Sequence, residues 1–140
     1  MLRFVLDTDV IVAALRSPKG ASAALIGAAL DRKITMLASV SLFFEYEAQC
    51  TSPVHWTAAG LVREQAHIFV DGLAALIEPV KTHYLWRPAL RDPNDEMVLE
   101  AAVNGRADSI VTFNVRDYGN VPEKFGIEVF VPATAIRRIQ

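Results

Sequence analysis

Acidic residues begin where the apolar runs of this chain stop, and that placement limits the folds it can adopt. Phe4-Val5-Leu6 runs straight into Asp7-Thr8-Asp9, and Arg91-Asp92-Pro93-Asn94-Asp95-Glu96 opens an apolar helix. Ser109-Ile110-Val111-Thr112-Phe113 ends at Asn114, with Asp117 close behind. In an open α/β sheet the carboxyl ends of parallel strands converge on one crevice, where ligands bind. Carboxylates gathered there repel one another, so a cation is the natural reason to assemble them. The pattern points to a magnesium- or manganese-dependent hydrolase.

Strands and helices alternate along the chain. Residues 2–6 read as a short buried strand, and Asp9 can cap a helix over 9–15 that Ser17-Pro18-Lys19-Gly20 breaks. A helix over 22–32, a strand over 34–38 and a helix over 41–49 follow. The longest periodic stretch predicts one helix over 57–77, with Leu61, Val62, Ala66, Phe69, Leu73, Leu76 and Ile77 at helical spacing. Residues 80–86 read as a short strand or an extended connection. A helix over 95–103 stops at Asn104-Gly105, strands occupy 109–113 and 128–131, and Pro132 starts a helix through 139. Alternation of this kind predicts a three-layer α/β/α sandwich around a mostly parallel sheet, in a single domain over 1–140.

Asp7 follows a buried strand directly, so its carboxylate should emerge at the crevice as a metal ligand, which leaves helix capping to Asp9. Asp92, Pro93 and Asp95 fit the N-cap, N1 and N3 positions of a helix. Capping accounts for Asp92 well and for Asp95 less well, because Glu96 is adjacent and the loop is more acidic than a cap requires. Asn114 can offer a carbonyl oxygen to a hard cation but adds no charge. Asp117 is either a further ligand or the partner of Arg116 in a surface turn.

Other functions have less support. The net charge is −2, from 14 basic and 16 acidic residues, so no bulk field announces nucleic-acid binding; cations bound in an acidic cleft would invert the local sign. Cys50 is the one cysteine, which forbids an internal disulfide and suits a reducing cytoplasm. The longest uncharged apolar stretch, 21–30, falls short of the roughly 20 residues a membrane span needs, and no targeting segment is visible. His55, His67 and His83 lack ligand spacing and read as surface or packing residues. Lys19, Arg87, Arg91 and Arg116 are the basic residues nearest the acidic segments, as phosphate contacts or as charge balance.

Several strings, taken in order, resemble the PIN domain family, and more narrowly the PIN-type toxins of bacterial and archaeal toxin–antitoxin pairs. They are Leu6-Asp7-Thr8-Asp9-Val10, Ser41-Leu42-Phe43-Phe44-Glu45-Tyr46-Glu47, Arg91-Asp92-Pro93-Asn94-Asp95, Ala101-Ala102, Ala107-Asp108, Val111-Thr112-Phe113-Asn114 and Arg116-Asp117-Tyr118. Only 52–86 lacks such motif residues. The resemblance implies a Rossmann-like sandwich that hydrolyses RNA with Mg²⁺ or Mn²⁺ held by three or four acids, and a cognate antitoxin as partner. It assigns the first acid to Asp7, the helical glutamate to Glu45 and the third acid to Asp95. The fourth acid falls at Asn114, a departure that Asp117 is placed to make good.

Periodicity disagrees with the resemblance at one point. A helical wheel puts Val40, Phe43, Phe44 and Ala48 inward with Glu47 among them, while Leu42 and Tyr46 offer a second stripe beside Glu45. Two alternatives to the nuclease stand: a haloacid-dehalogenase-like phosphatase with Asp7 as covalent nucleophile, and a catalytically weak PIN-like interaction module. The apolar helices near 23–30 and 61–77 offer surface for a partner or a homodimer, and core packing explains them equally well.

Overall fold

The computed structural model describes residues 1–83 and 89–140. In chain order the elements are β1 (Leu2–Leu6), α1 (Thr8–Arg16), α2 (Ala21–Leu30), β2 (Ile34–Ala38), α3 (Val40–Cys50), α4 (Pro53–Ala58) and α5 (Arg63–Leu76). They continue with β3 (Glu78–Pro79), α6 (Pro93–Asn104), β4 (Ser109–Val111), β5 (Glu128–Phe130) and α7 (Pro132–Ile139). Two short 3₁₀ turns, Val115–Tyr118 and Pro122–Phe125, separate β4 from β5.

The sheet order is β3-β2-β1-β4-β5, and every neighbouring pair is parallel. Successive side chains of a strand point to opposite faces, yet Phe4, Val5 and Leu6 are all buried. Both faces of β1 are therefore covered, as a parallel sheet requires. Helix α6 lies against β1, β2 and β4, while α2 packs on β2 and α7. The expected three-layer α/β/α sandwich is the observed architecture.

The chain leaves β1 for β2 on one side and later returns to β4 on the other, so the strand order reverses between β1 and β4. A crevice opens at the carboxyl ends of the strands at such a reversal. The Asp7 N–H donates to the Val111 carbonyl at 2.8 Å, and the Thr112 N–H to the Phe130 carbonyl at 3.0 Å. These bonds carry the ladder just past the strand ends and fix Asp7 and Thr112 at the crevice.

Two sequence expectations are corrected. The first helix begins at Thr8 and its N-cap is Asp7, not Asp9. The helix expected over 57–77 is two helices, α4 and α5. Gly60 adopts φ +73°, its N–H donates to Thr57 O, and the Leu61 N–H donates back to Trp56 O. That pair of bonds is a Schellman ending, and glycine takes the left-handed position at little cost. The apolar rhythm hid the break because it continues through Leu61 and Val62. For the extended segment expected over 80–86, Val80 donates to Ala38 O just after β3, and its end lies outside the described residues.

Gly105 ends α6 for a different reason than the sequence suggests. Its φ is −86°, and Arg106 takes the positive value, +54°. A Cβ at position 105 would lie 2.8 Å from both Ala101 O and Val80 Cγ2. Close approach of α6 to β2 and β3 demands the glycine, so Gly105→Ala should destabilise by about 1–3 kcal/mol. Urea unfolding checks this, and an unchanged midpoint would show that the neighbours yield freely. Among the described residues no single helix is long and apolar enough to cross a membrane.

Candidate active site

Asp7 is buried at the end of β1, and each of its carboxylate oxygens is engaged. Oδ1 accepts from the Thr8 N–H at 2.7 Å, and Oδ2 accepts from the Thr112 hydroxyl at 2.8 Å and the Tyr118 hydroxyl at 3.1 Å. Burial raises its pKa, and these three donors oppose that rise. Asp9, in the first turn of α1, bonds across the crevice. Its Oδ2 accepts from the Phe113 N–H and from Asn114 Nδ2, both at 3.1 Å. Its Oδ1 is buried with no partner among the described residues. Burial, then the charge of Asp7, pushes the Asp9 pKa up to about 6.

Asp92 caps α6 by accepting from the Asn94 N–H at 2.9 Å, with Pro93 next in the helix. Asp95 is buried in the first turn. Burial, then the charges of Asp7, Asp92 and Asp117, pushes its pKa to about 6. Glu96 is also buried; its Oε1 accepts from the N–H groups of Ala89 and Leu90 and so fastens the chain entering α6. The extra acid of this loop is accounted for by that backbone clamp.

Helix α3 faces the core with Leu42, Tyr46 and Cys50, spaced four residues apart. The Tyr46 hydroxyl donates to the Leu6 carbonyl, one residue before Asp7, which pins α3 beside the crevice. Glu45 and Gln49 then reach the cleft wall, with Gln49 Nε2 donating to Glu45 Oε1 at 3.2 Å. Glu47 is exposed, as are Val40, Phe44 and Ala48, so most of the wheel's stripe faces outward, while Phe43 packs partly against the core.

The resulting cleft has a volume of about 410 Å³. Six carboxylates line it: Asp7, Asp9, Glu45, Asp92, Asp95 and Asp117. Asn114 also lines it, with the amide nitrogen committed to Asp9. Among the described residues no Lys or Arg lines it, so Arg116, Lys19 and Arg91 lie outside its wall; Arg87 lies outside the described residues. Sequence reasoning missed His55, which α4 brings to the cleft with a buried, unpartnered Nδ1. Nothing near position 55 in sequence signals this, because the placement comes from the packing of α4 on α1 and α3.

The donors suit a hard cation, being oxygens with net negative charge. The unpartnered Asp9 Oδ1 and the raised acid pKa values mark a site in which charge is under-compensated. Among the described residues no three His, Cys, Asp or Glu side chains are already arranged to hold a metal ion. The donor chemistry fits, and the carboxylates would have to draw together around the ion.

A PIN domain family model matches residues 3–116 of the chain. The chain belongs to the PIN domain family. Its members are generally nucleases, and the phosphatase reading of Asp7 falls with this match. The PIN fold is shared with a chain in the crystal structure of VapBC2 from Rickettsia felis bound to a DNA fragment from their promoter. That likeness has a TM-score of 0.64 at 15% identity, covering 92% of this chain and 98% of the other. No curated protein matches the sequence.

Proposed function

We propose that this PIN domain is a divalent-cation-dependent endoribonuclease, and that it is the toxin of a toxin–antitoxin pair. The observation that carries the catalytic reading is the gathering of six carboxylates, with no Lys or Arg among the described residues, at the switch point between β1 and β4. Such a cleft is unfavourable by itself and becomes favourable around a cation.

Asp7, Glu45 and Asp95 would hold the ion. Asp117 is the acid nearest the position where the family pattern expects a fourth, and Asp92 adds charge at the rim. The cation, when bound, supplies Lewis-acid activation of water and neutralises charge on the phosphate. The chain's own part is to hold the acids in place. Thr8, Thr112 and Tyr118 fix Asp7 on three sides, and Tyr46 sets the position of α3 and so of Glu45. Asn114 Nδ2 and the Phe113 N–H hold Asp9 Oδ2, so Asn114 positions Asp9, and its side-chain oxygen is the atom it would offer to a cation.

The likeness to a VapBC2 chain supports a cognate antitoxin for this PIN domain, and such a toxin would act in the cytoplasm. Exposed Val40 and Phe44 on α3 and Ile68 on α5 provide apolar surface that a protein partner or a second copy would cover.

The test compares two neighbouring acids. Glu45→Gln should weaken Mn²⁺ binding by about one to two orders of magnitude, the scale of ~1–3 kcal/mol for a charged ligand in a partly desolvated cleft. Its loss of RNA cleavage should follow, with melting unchanged. Glu47→Gln should leave metal affinity, cleavage and melting as they are. Calorimetric titration on both variants decides, and the opposite pattern would move the site to the outer stripe of α3.

A further inference from the structure

Beside the acidic cleft lies a second depression, of about 360 Å³, built differently. Asp9 and Val12 belong to the walls of both, so the two hollows adjoin. The rest of the second is formed by Phe113 and by the end of α1 at Ala13, Arg16 and Ser17. Phe113 is 50% exposed and stands apart from the hydrophobic core, although β4 ends only two residues earlier. Its backbone is fixed by the bond from its N–H to Asp9 Oδ2. Arg16 is exposed and makes no ion pair among the described residues.

A fixed backbone presenting an open aromatic ring is a platform on which an unpaired base stacks, because every base has a π face. A guanidinium beside it can take a phosphate in a bidentate hydrogen bond. The walls are mixed, with Val12, Ala13 and Phe113 apolar and Asp9, Arg16 and Ser17 polar, which suits a base and its phosphate together better than a wholly apolar protein segment. We propose that Phe113 and Arg16 form a nucleotide subsite next to the scissile phosphate, the base on the Phe113 ring and the adjoining phosphate on Arg16. The subsite rests on the ribonuclease reading and deepens it by naming the side chains that take the base and the phosphate beside the cut, since an unpaired base can lay its face on the ring.

The experiment uses the Asp7→Asn protein, so that RNA is bound and not cut, with Mn²⁺ and a single-stranded oligoribonucleotide carrying 2-aminopurine at successive positions. Stacking should quench the probe at one position. Adding Phe113→Ala or Phe113→Leu should abolish the quench and weaken binding by about five- to a hundredfold, and Phe113→Tyr should preserve both. Arg16→Gln should weaken binding and lower the slope of log affinity against log salt by about one. In otherwise wild-type protein, Phe113→Leu should raise KM more than it lowers kcat. If RNA binds but Phe113→Leu leaves quench and affinity intact, the subsite is wrong and the ring serves another partner, while the ribonuclease reading stands. Should neither the wild type nor Asp7→Asn bind or cut any RNA, both readings fall together.

Discussion

Replacing Asp7 by asparagine should lower RNA cleavage by about 10²- to 10³-fold, the scale for removing one preorganised electrostatic group, while the protein stays folded. Asparagine keeps an acceptor for the Thr8 N–H, and its amide can donate to the Thr112 and Tyr118 hydroxyls. It also removes a buried charge that repels Asp9 and Asp95. Cation-free Asp7→Asn should therefore melt at or above the wild type. Asp7→Ala should behave otherwise, because it removes the cap of α1 and the acceptor that the buried Thr112 and Tyr118 hydroxyls share. Those losses cost about 2–4 kcal/mol, a fall in Tm of roughly 5–15 °C. Calorimetric melting in EDTA separates the cases. Equal destabilisation by both variants would mean that the Asp7 charge itself holds the fold together.

The second large effect is on pH. Asp9 and Asp95 titrate near 6 in the folded protein and near 3.9 when unfolded. Between those values the folded state binds more protons, so the free energy of unfolding falls as pH rises. The stability these two groups contribute is fully present below about pH 4 and is lost as pH passes through about 6. Asp7, also raised, acts in the same direction. Both groups keep some contact with solvent, so the combined effect of Asp9 and Asp95 is discounted to about 1–3 kcal/mol. Denaturation in EDTA at several pH values should show the decline, Asp95→Asn should flatten it, and Mn²⁺ should reverse it most at high pH. A stability that rose between about pH 4 and 7 would mean that these carboxylates are compensated inside the protein.

Much of the arrangement was legible in the sequence because burial of a parallel sheet imposes a simple code. β1 and β2 are apolar but for Arg3 and Thr35 and have their expected limits, and Asp7 had to appear at a strand end. Asp92 announced its cap through Pro93, which cannot donate a hydrogen bond. What the sequence hid depended on long-range packing. The wheel of α3 weighed bulk and favoured Phe44, whereas the inward stripe contains Tyr46, whose hydroxyl finds Leu6, and the small Cys50. Asp9 looked like a cap because no local signal reports its bonds to Phe113 and Asn114, 104 and 105 residues away. His55 came to the cleft by the packing of a helix with no motif of its own.

The central claim is that the acids at the β1–β4 switch point work through a divalent cation on RNA. It is tested most directly by incubating a single-stranded oligoribonucleotide with the wild type and with Asp7→Asn, each in Mn²⁺ and in EDTA. Cleavage should appear with the wild type in Mn²⁺, be abolished by EDTA and fall about 10²- to 10³-fold with the substitution. Cleavage that persists in EDTA, or at the wild-type rate in Asp7→Asn, would contradict it.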